Sequence, residues 1–461
     1  MFEVVHNAIQ IRCRCARLPL RPSASRKAFR PHPRTPPTFH CLNFSGACFH
    51  LRERCGFEII RAHAVWWGVQ QVMASELAFA LINPYTIAKS RTGGVIGRLM
   101  SRTGLELVAA RLYGPSRELC VNYADSLRCE HPDPEIGRML SDYVTRAYTP
   151  EAETGHVRRV MLLLFEGENA IQKVREATGH IRANWVGGET IRDTYGDYIM
   201  DPDGRVRYFE PAVLVGPTVE RAAKVLRLWA DHADSDGGLT DAAADVPGGD
   251  DGVQRTLVLL KPDNFRFPSL RPGHIIDLLS RSGLRIIGIR KIRMTVAQAE
   301  DFYGPVRAML HEKFRQIVAR QAGEALNREL NLDVSEDLKA MIGEHLGPAA
   351  GDQQFEEIVR FMTGRRPSEV AEADKTQSGS EDCLALVYKG ISAVEKIRYL
   401  LGATDPAQAQ TGSVRREFGH DIMVNAAHAS DSPENAVREM RIIDVAKDNI
   451  REWVDKYYGS K

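Results

Sequence analysis

His428 sits in the run Asn-Ala-Ala-His-Ala-Ser-Asp-Ser at positions 425–432, directly before Pro433. Ser432 has the side chain of a helix N-cap, and Pro433 suits a first helical turn. An imidazole at that junction lies near free backbone N–H groups, which suit a phosphate. Imidazole is also a covalent nucleophile when one ring nitrogen is left unprotonated. Read by itself, the same His is equally a surface or capping residue. Its weight depends on the elements around it.

Those elements come from a chain of 461 residues, enough for two or three domains. The formal net charge is +1, which gives no electrostatic reason to expect a nucleic-acid partner. No apolar run approaches the roughly 20 residues of a membrane helix, so no membrane partner is expected. Five of the eight cysteines (Cys13, Cys15, Cys41, Cys48 and Cys55) precede residue 73, leaving Cys120, Cys129 and Cys383 for the rest. A cysteine-poor body suits a reducing cytosol, and the expected location is cytoplasmic.

Residues 1–72 differ from everything after them. Arg, Cys, His and Pro dominate, acids are scarce, and no hydrophobic period persists. Three readings stand: an Arg-rich transit segment, a zinc module, or a stretch foreign to the folded protein with translation starting at Met73. The cysteine spacing fits no common zinc pattern. All three readings make this extension largely disordered.

Beyond it the chain repeats itself. Leu81, Ile82, Asn83 and Pro84 match Leu259, Leu260, Lys261 and Pro262. Ser101–Gly104 matches 280–283, and Tyr113-Gly-Pro matches Tyr303-Gly-Pro. Gly167, Arg175, Gly179 and Arg192 recur at one constant offset as Gly390, Arg398, Gly402 and Arg415. The reading is two copies of one domain, residues 74–232 and 253–461, joined by a linker at 233–252 without large apolar residues. In the second copy, strands are expected at 255–261, 284–292, 383–388 and 422–424. Helices are expected at 273–281, from Thr295, and at 391–401. This β-α-β-(α)-β-α-β order predicts an α+β protein: two tandem ferredoxin-like βαββαβ domains, antiparallel sheets covered by helices.

At this point the residues resemble nucleoside diphosphate kinases. The resemblance is carried by Lys261, Pro262 and Asp263 at the end of the first strand, by Asn425, His428, Ala429, Ser430 and Asp431, and by the run 412–419 around Arg415. It spans both copies apart from insertions, and is sharpest in the second. It implies transfer of the γ-phosphate of a nucleoside triphosphate to a nucleoside diphosphate through phosphorylated His428, with Glu439 orienting the imidazole. By the same resemblance, Lys261, Arg398 and Arg415 are the phosphate-binding cations, which fits a reaction run on charge stabilisation and positioning. Thr404 and Asn425 take hydrogen-bonding positions for phosphate and ribose, Tyr303 lies beside the histidine, and Phe355 stacks on the base. Mg²⁺ is implied as cofactor, held through nucleotide phosphates rather than by protein ligands. Homo-oligomers through sheet edges are implied as well.

The first copy departs from this pattern. Asn83 replaces the Lys, and aligning Glu210–Thr218 with the His motif puts Pro211, Leu214, Pro217 and Val225 at the Asn, His, Asp and Glu positions. Leucine cannot accept a phosphoryl group. The first copy is therefore expected to be degenerate, a structural partner or a weak nucleotide binder that supplies the oligomer contact within one chain. The second copy carries two insertions: residues 307–351, read as two added helices with a Gly-rich stretch 343–351 beyond them, and a polar loop 365–381. The competing functional reading is a non-catalytic nucleotide-binding scaffold or assembly protein that works through these insertions and the first copy. The tail, 442–458, has a helical pattern and apolar residues able to pack on the first copy or another subunit.

Overall fold

In a computed structural model the described residues are 75–182, 189–241 and 252–459. The extension 1–72, Met73 and linker residues 242–251 lie outside them. The chain divides into a unit of residues 1–68 and a unit of residues 69–461 that holds all that follows. No helix among the described residues is long and apolar enough to cross a membrane.

The first half runs β1 (Ser75–Ile82), α1 (Pro84–Ala88), α2 (Thr92–Thr103), β2 (Glu106–Tyr113), α3 (Arg117–Glu130), α4 (Pro134–Tyr148), β3 (Val160–Glu168), α5 (Ala170–Thr178), α6 (Ile191–Tyr195), β4 (Asp197–Met200), β5 (Val206–Glu210), β6 (Val213–Val215), α7 (Val219–Asp231) and α8 (Ala233–Asp236). The second runs β7 (Val253–Leu260), α9 (Arg271–Ser280), β8 (Arg285–Thr295), α10 (Val296–Leu330), α11 (Glu336–Thr363), β9 (Ser378–Ile391), α12 (Ala393–Leu401), α13 (Val414–Phe418), β10 (Ala427–Ala429), α14 (Pro433–Ile442) and α15 (Arg451–Tyr458). Each half builds a four-stranded antiparallel sheet, β2-β3-β1-β6 and β8-β9-β7-β10. The fold is thus α+β, two ferredoxin-like domains in tandem. The central strands β1 and β3 are buried along nearly their whole length. This explains why both read as unbroken apolar runs instead of alternating ones.

Backbone detail repeats between halves. Asn169 and Ser392, ahead of α5 and α12, are both left-handed, and Gly179 and Gly402 close those helices at φ of 87° and 81°. Arg192 and Arg415 each donate to the carbonyls of that glycine and of the last strand, Val213 or Ala427. Leu81 pairs with Leu214 where Leu259 pairs with His428, so Leu214 occupies the histidine's place in the sheet.

Four expectations need correction. The Tyr113 and Tyr303 matches are not equivalent: Tyr113 ends β2, whereas Tyr303 lies inside α10. The N-caps Ser116 and Thr295 align α3 with α10, and this brings Ala124 to the position of Tyr303. Residues 422–424 are a turn, not a strand, because the Asp421 carboxylate accepts the N–H groups of Met423 and Val424. The last strand is β10, and it contains His428. The stretch 343–351 does not lie beyond the added helices. It is the interior of α11, which with α10 forms one long hairpin. Glycines there reflect close approach rather than a break: a Cβ on Gly347 would meet the Arg315 backbone at 2.6–2.7 Å. Finally, the linker is structured at its start. Residues 233–236 are helical, and the Thr240 N–H donates to the Ile287 carbonyl at 2.8 Å.

The halves pack on each other. α2 and α9 cross so tightly at Gly93, Gly97 and Gly273 that a Cβ on Gly273 would meet the Gly93 carbonyl oxygen at 2.2 Å. Edge strands β2 and β8 also face each other, with Lys291 Nζ donating to the Leu107 carbonyl (2.9 Å) and pairing with Asp382 (2.8 Å). The sheet edges foreseen for an oligomer are thus in contact inside one chain. The tail breaks after α14, and α15 returns to the first half, where the Tyr458 hydroxyl donates to the Leu77 carbonyl.

Candidate active site

His428 is carried on the short edge strand β10, two residues after a kink. Ala426 is left-handed (φ 69°), a conformation uncommon for a residue with a side chain. It is held there by the Lys261 N–H (2.9 Å) and the Asn264 amide (2.7 Å), both donating to its carbonyl. The kink lifts His428 to the end of the sheet, with its side chain 22% exposed.

The imidazole Nε2 lies 3.0 Å from Glu439 Oε2, on α14. Glu439 is almost fully buried, and the same oxygen accepts the Ser430 hydroxyl at 2.6 Å. A carboxylate so placed keeps the proton on Nε2 and leaves the Nδ1 lone pair free. Two aromatic rings flank the imidazole, Phe302 at 4.9 Å and Tyr303 at 5.9 Å between centroids, both near perpendicular. The buried Tyr303 hydroxyl has no hydrogen-bond partner, an unusual cost that a ligand oxygen would remove.

Lys261 follows β7 and is buried. Its Nζ donates to Asn425 Oδ1 (2.7 Å) and the Met423 carbonyl (3.0 Å). Burial, reinforced by the Arg415 charge, pulls its pKa down to about 8. Arg415, on α13, donates to Gly402 (2.9 Å) and Ala427 (3.1 Å) carbonyls, while its Nε is buried without a partner. Burial, then the Arg398 charge, lowers Arg415 to about 10. Arg398 is exposed on α12. Asn425 donates its amide to the Thr404 carbonyl (3.0 Å), so it is Thr404's backbone that is engaged, and its side chain is exposed. Positive charge that repels itself at rest is arranged to receive an anion.

Phe355 stands apart from this arrangement. It is buried at 5% exposure on α11, with Arg307 over its ring at 5.6 Å. An open stacking surface is therefore not what this residue presents. Three contributors were not singled out from sequence. Ser430 lies within the quoted motif and bonds Glu439. Phe302 packs on the imidazole. Arg438 comes within 3.9 Å of Glu439 Oε1 while donating to the Asp301 and Phe302 carbonyls. The i−1 position to Glu439 is the only trace Arg438 leaves in the sequence. Among the described residues no group of three or more His, Cys, Asp or Glu side chains is gathered for a metal.

Residues 335–447 match the family model described as nucleoside diphosphate kinase. The chain is 32% identical over 188 residues to a nucleoside diphosphate kinase of Wolbachia pipientis, covering 41% of this chain and 91% of that protein. With a nucleoside diphosphate kinase of Kosmotoga olearia it shares 28% identity over 190 residues, 41% of this chain and 88% of that one. Among solved structures, the Aquifex aeolicus nucleoside diphosphate kinase aligns with 25% identity and a TM-score of 0.26 over 43% of this chain and 98% of its own.

Proposed function

This chain belongs to the nucleoside diphosphate kinase family, and on that premise we propose that its second domain, residues 253–461, transfers the γ-phosphate of a nucleoside triphosphate to a nucleoside diphosphate through His428. The observation that carries the proposal is the His428–Glu439 pair at 3.0 Å beside a cluster of cations. In the first half-reaction, the Nδ1 lone pair forms a bond to the γ-phosphorus as the bond to the β–γ bridging oxygen breaks, and the diphosphate leaves. The Nε2 proton stays shared with Glu439, which stabilises the positive charge the ring acquires. In the second half-reaction a terminal oxygen of another diphosphate attacks the phosphohistidine, and the imidazole is regenerated. This is ping-pong chemistry with no net proton change.

Lys261, Arg398 and Arg415 are assigned to the phosphoryl oxygens, and the Tyr303 hydroxyl to the same anionic cluster. Asn425 orients Lys261 and reaches the ribose side together with Thr404. Donors at this site are cations, amides and hydroxyls rather than a carboxylate set, which fits Mg²⁺ carried by the nucleotide's own phosphates and water. Bound that way, Mg²⁺ would offset phosphate charge during transfer. In the first domain, residues 74–232, Leu214 and Val225 replace the His–Glu pair, and we propose that it is catalytically silent.

The test is incubation of the full chain with γ-labelled ATP. An acid-labile, alkali-stable label is expected, absent in His428→Ala, whose transfer rate falls at least about a thousandfold. An unlabelled wild-type protein would sink the proposal. Substantial activity in His428→Ala would instead overturn the silence of the first domain.

A further inference from the structure

A cavity of about 100 Å³ lies where the two domains meet, walled by the start of α2 and the end of α9. A water takes up about 30 Å³, so this space holds a few waters or one small tetrahedral ion. It is too small for a nucleotide, whose sites run to several hundred Å³. The first domain lends it Thr92 and Arg159, the residue ahead of β3. The second lends it Ser280, Arg285 at the start of β8, and Tyr388 on β9.

The polar groups of this lining are cations and hydroxyls. No Asp or Glu is among the described residues that form it. Arg159 crosses to the other domain and donates one N–H to the Ile286 carbonyl (2.5 Å), which leaves most of its donors uncommitted. Arg285 makes no ion pair or hydrogen bond among the described residues. Burial, then the Arg285 charge, pulls the Arg159 pKa down to about 10. Tyr388 is 2% exposed, and its buried hydroxyl has no partner. The Thr92 side chain is buried and makes no hydrogen bond either, while the Ser280 hydroxyl donates to the Ile276 carbonyl (3.0 Å). Asp277, whose charge reaches the Tyr388 hydroxyl, lies outside this lining and accepts the Gly94 N–H at 3.1 Å. Two like charges, one from each domain, thus share a small space with an orphaned hydroxyl. Buried polar groups in folded proteins are rarely left so. One anion would offset the repulsion and give the hydroxyl an acceptor.

We infer that this cavity is an oxyanion site bridging the two domains, sized for a free phosphate or sulfate ion. Arg159 and Arg285 take the charge, and the Tyr388 and Thr92 hydroxyls donate to the remaining oxygens. Occupancy makes the contact between the domains depend on anion concentration. The site lies apart from His428 and does not rest on the phosphotransfer reading.

The experiment uses the full chain with inorganic phosphate as probe, chloride holding the ionic strength constant, and site-resolved hydrogen exchange as readout. Phosphate is expected to slow exchange in residues 90–95 and 284–288. In Arg285→Ala, which removes no native hydrogen bond, the same protection should require at least about tenfold more phosphate, the loss expected for charge-assisted hydrogen bonds. Exchange in residues 393–402 and 427–439 should match the parent in that variant, which reports that the fold survives. Tyr388→Phe should weaken the protection too, with no fall in thermal stability in phosphate-free buffer, because no bond is lost there. Phenyl phosphate, the same group on a body too large for the cavity, should protect neither segment. Absence of protection at millimolar phosphate overturns the inference, as does protection unaltered in Arg285→Ala. A less stable Tyr388→Phe in phosphate-free buffer would show the hydroxyl already partnered and count against the site. Protection by phenyl phosphate equal to that by phosphate would overturn the free ion as ligand.

Discussion

At the level of single residues, the site is a set of proton and charge assignments. Glu439→Gln keeps the shape of the side chain but can present its N–H to the imidazole, so the tautomer is no longer held and the developing ring charge is unopposed. We expect kcat to fall about 10- to 1,000-fold with little change in KM, measured by steady-state transfer from ATP. Lys261 makes a second prediction. Its pKa is pulled down to about 8 by burial and Arg415, and phosphate binds the protonated form. Nucleotide affinity is therefore complete below that pH and lost above it. The expected signature is a kcat/KM that declines about tenfold per pH unit on the alkaline side. Lys261→Arg, whose charge does not titrate there, should flatten that limb. The residues readable in sequence were those within short motifs: His428, Asn425, Lys261 and Arg415 are all brought together. Phe302 and Arg438 carry no such mark, and Ser430, though inside the motif, gives no sign of its bond to Glu439, because these roles depend on contacts across elements that spacing does not encode. Phe355 is expected from the resemblance to stack on a base, whereas its ring is buried on α11 with Arg307 of α10 over it.

Elements explain why that cover exists. The helical hairpin of α10 and α11 places Gly343, Gly347 and Gly351 one turn apart on one face, against Arg315 and His311 of α10. Three glycines at that spacing let two backbones approach, and helical propensity alone reads them as a break. Gly347→Leu should splay the hairpin and destabilise the protein by about 2 kcal/mol, a drop visible in thermal or denaturant unfolding. Unchanged stability would mean the helices do not cross as described. Elements also correct the repeat. The capping residues Ser116 and Thr295 register α3 on α10 correctly, while the Tyr-Gly-Pro match joins a strand end to a helix interior. Local chemistry at helix starts is dictated by backbone geometry, whereas a three-residue coincidence is dictated by nothing. The turn at 421–424 was misread for a similar reason: its apolar residues look strand-like, but the Asp421 carboxylate ties the backbone into a turn.

For the whole molecule, two domains of one fold meet through glycine. The tandem architecture was legible because Leu81–Pro84, Ser101–Gly104 and the set Gly167, Arg175, Gly179 and Arg192 recur in the same order. The tightness of the interface was not, since Gly93, Gly97 and Gly273 are remarkable only once α2 and α9 are known to cross. Gly273→Val would drive a side chain into the Gly93 carbonyl and the Gly97 backbone. We expect the domains to separate, with slower activity loss than stability loss. Differential scanning calorimetry should show one cooperative transition in the parent and two in the variant. A single unshifted transition would argue against this interface.

The return of α15 to the first sheet has a consequence in time as well as in space. Tyr458 bonds the Leu77 carbonyl, and Arg451 reaches Asp234 and the Ala230 carbonyl. A strand is thus covered by a helix whose contact residue lies 381 positions later in the chain. During synthesis, with N-terminal segments emerging first, the first domain waits with part of its surface uncovered until α15 has left the ribosome. Its final packing is a late event, coupled to completion of the domain that carries His428.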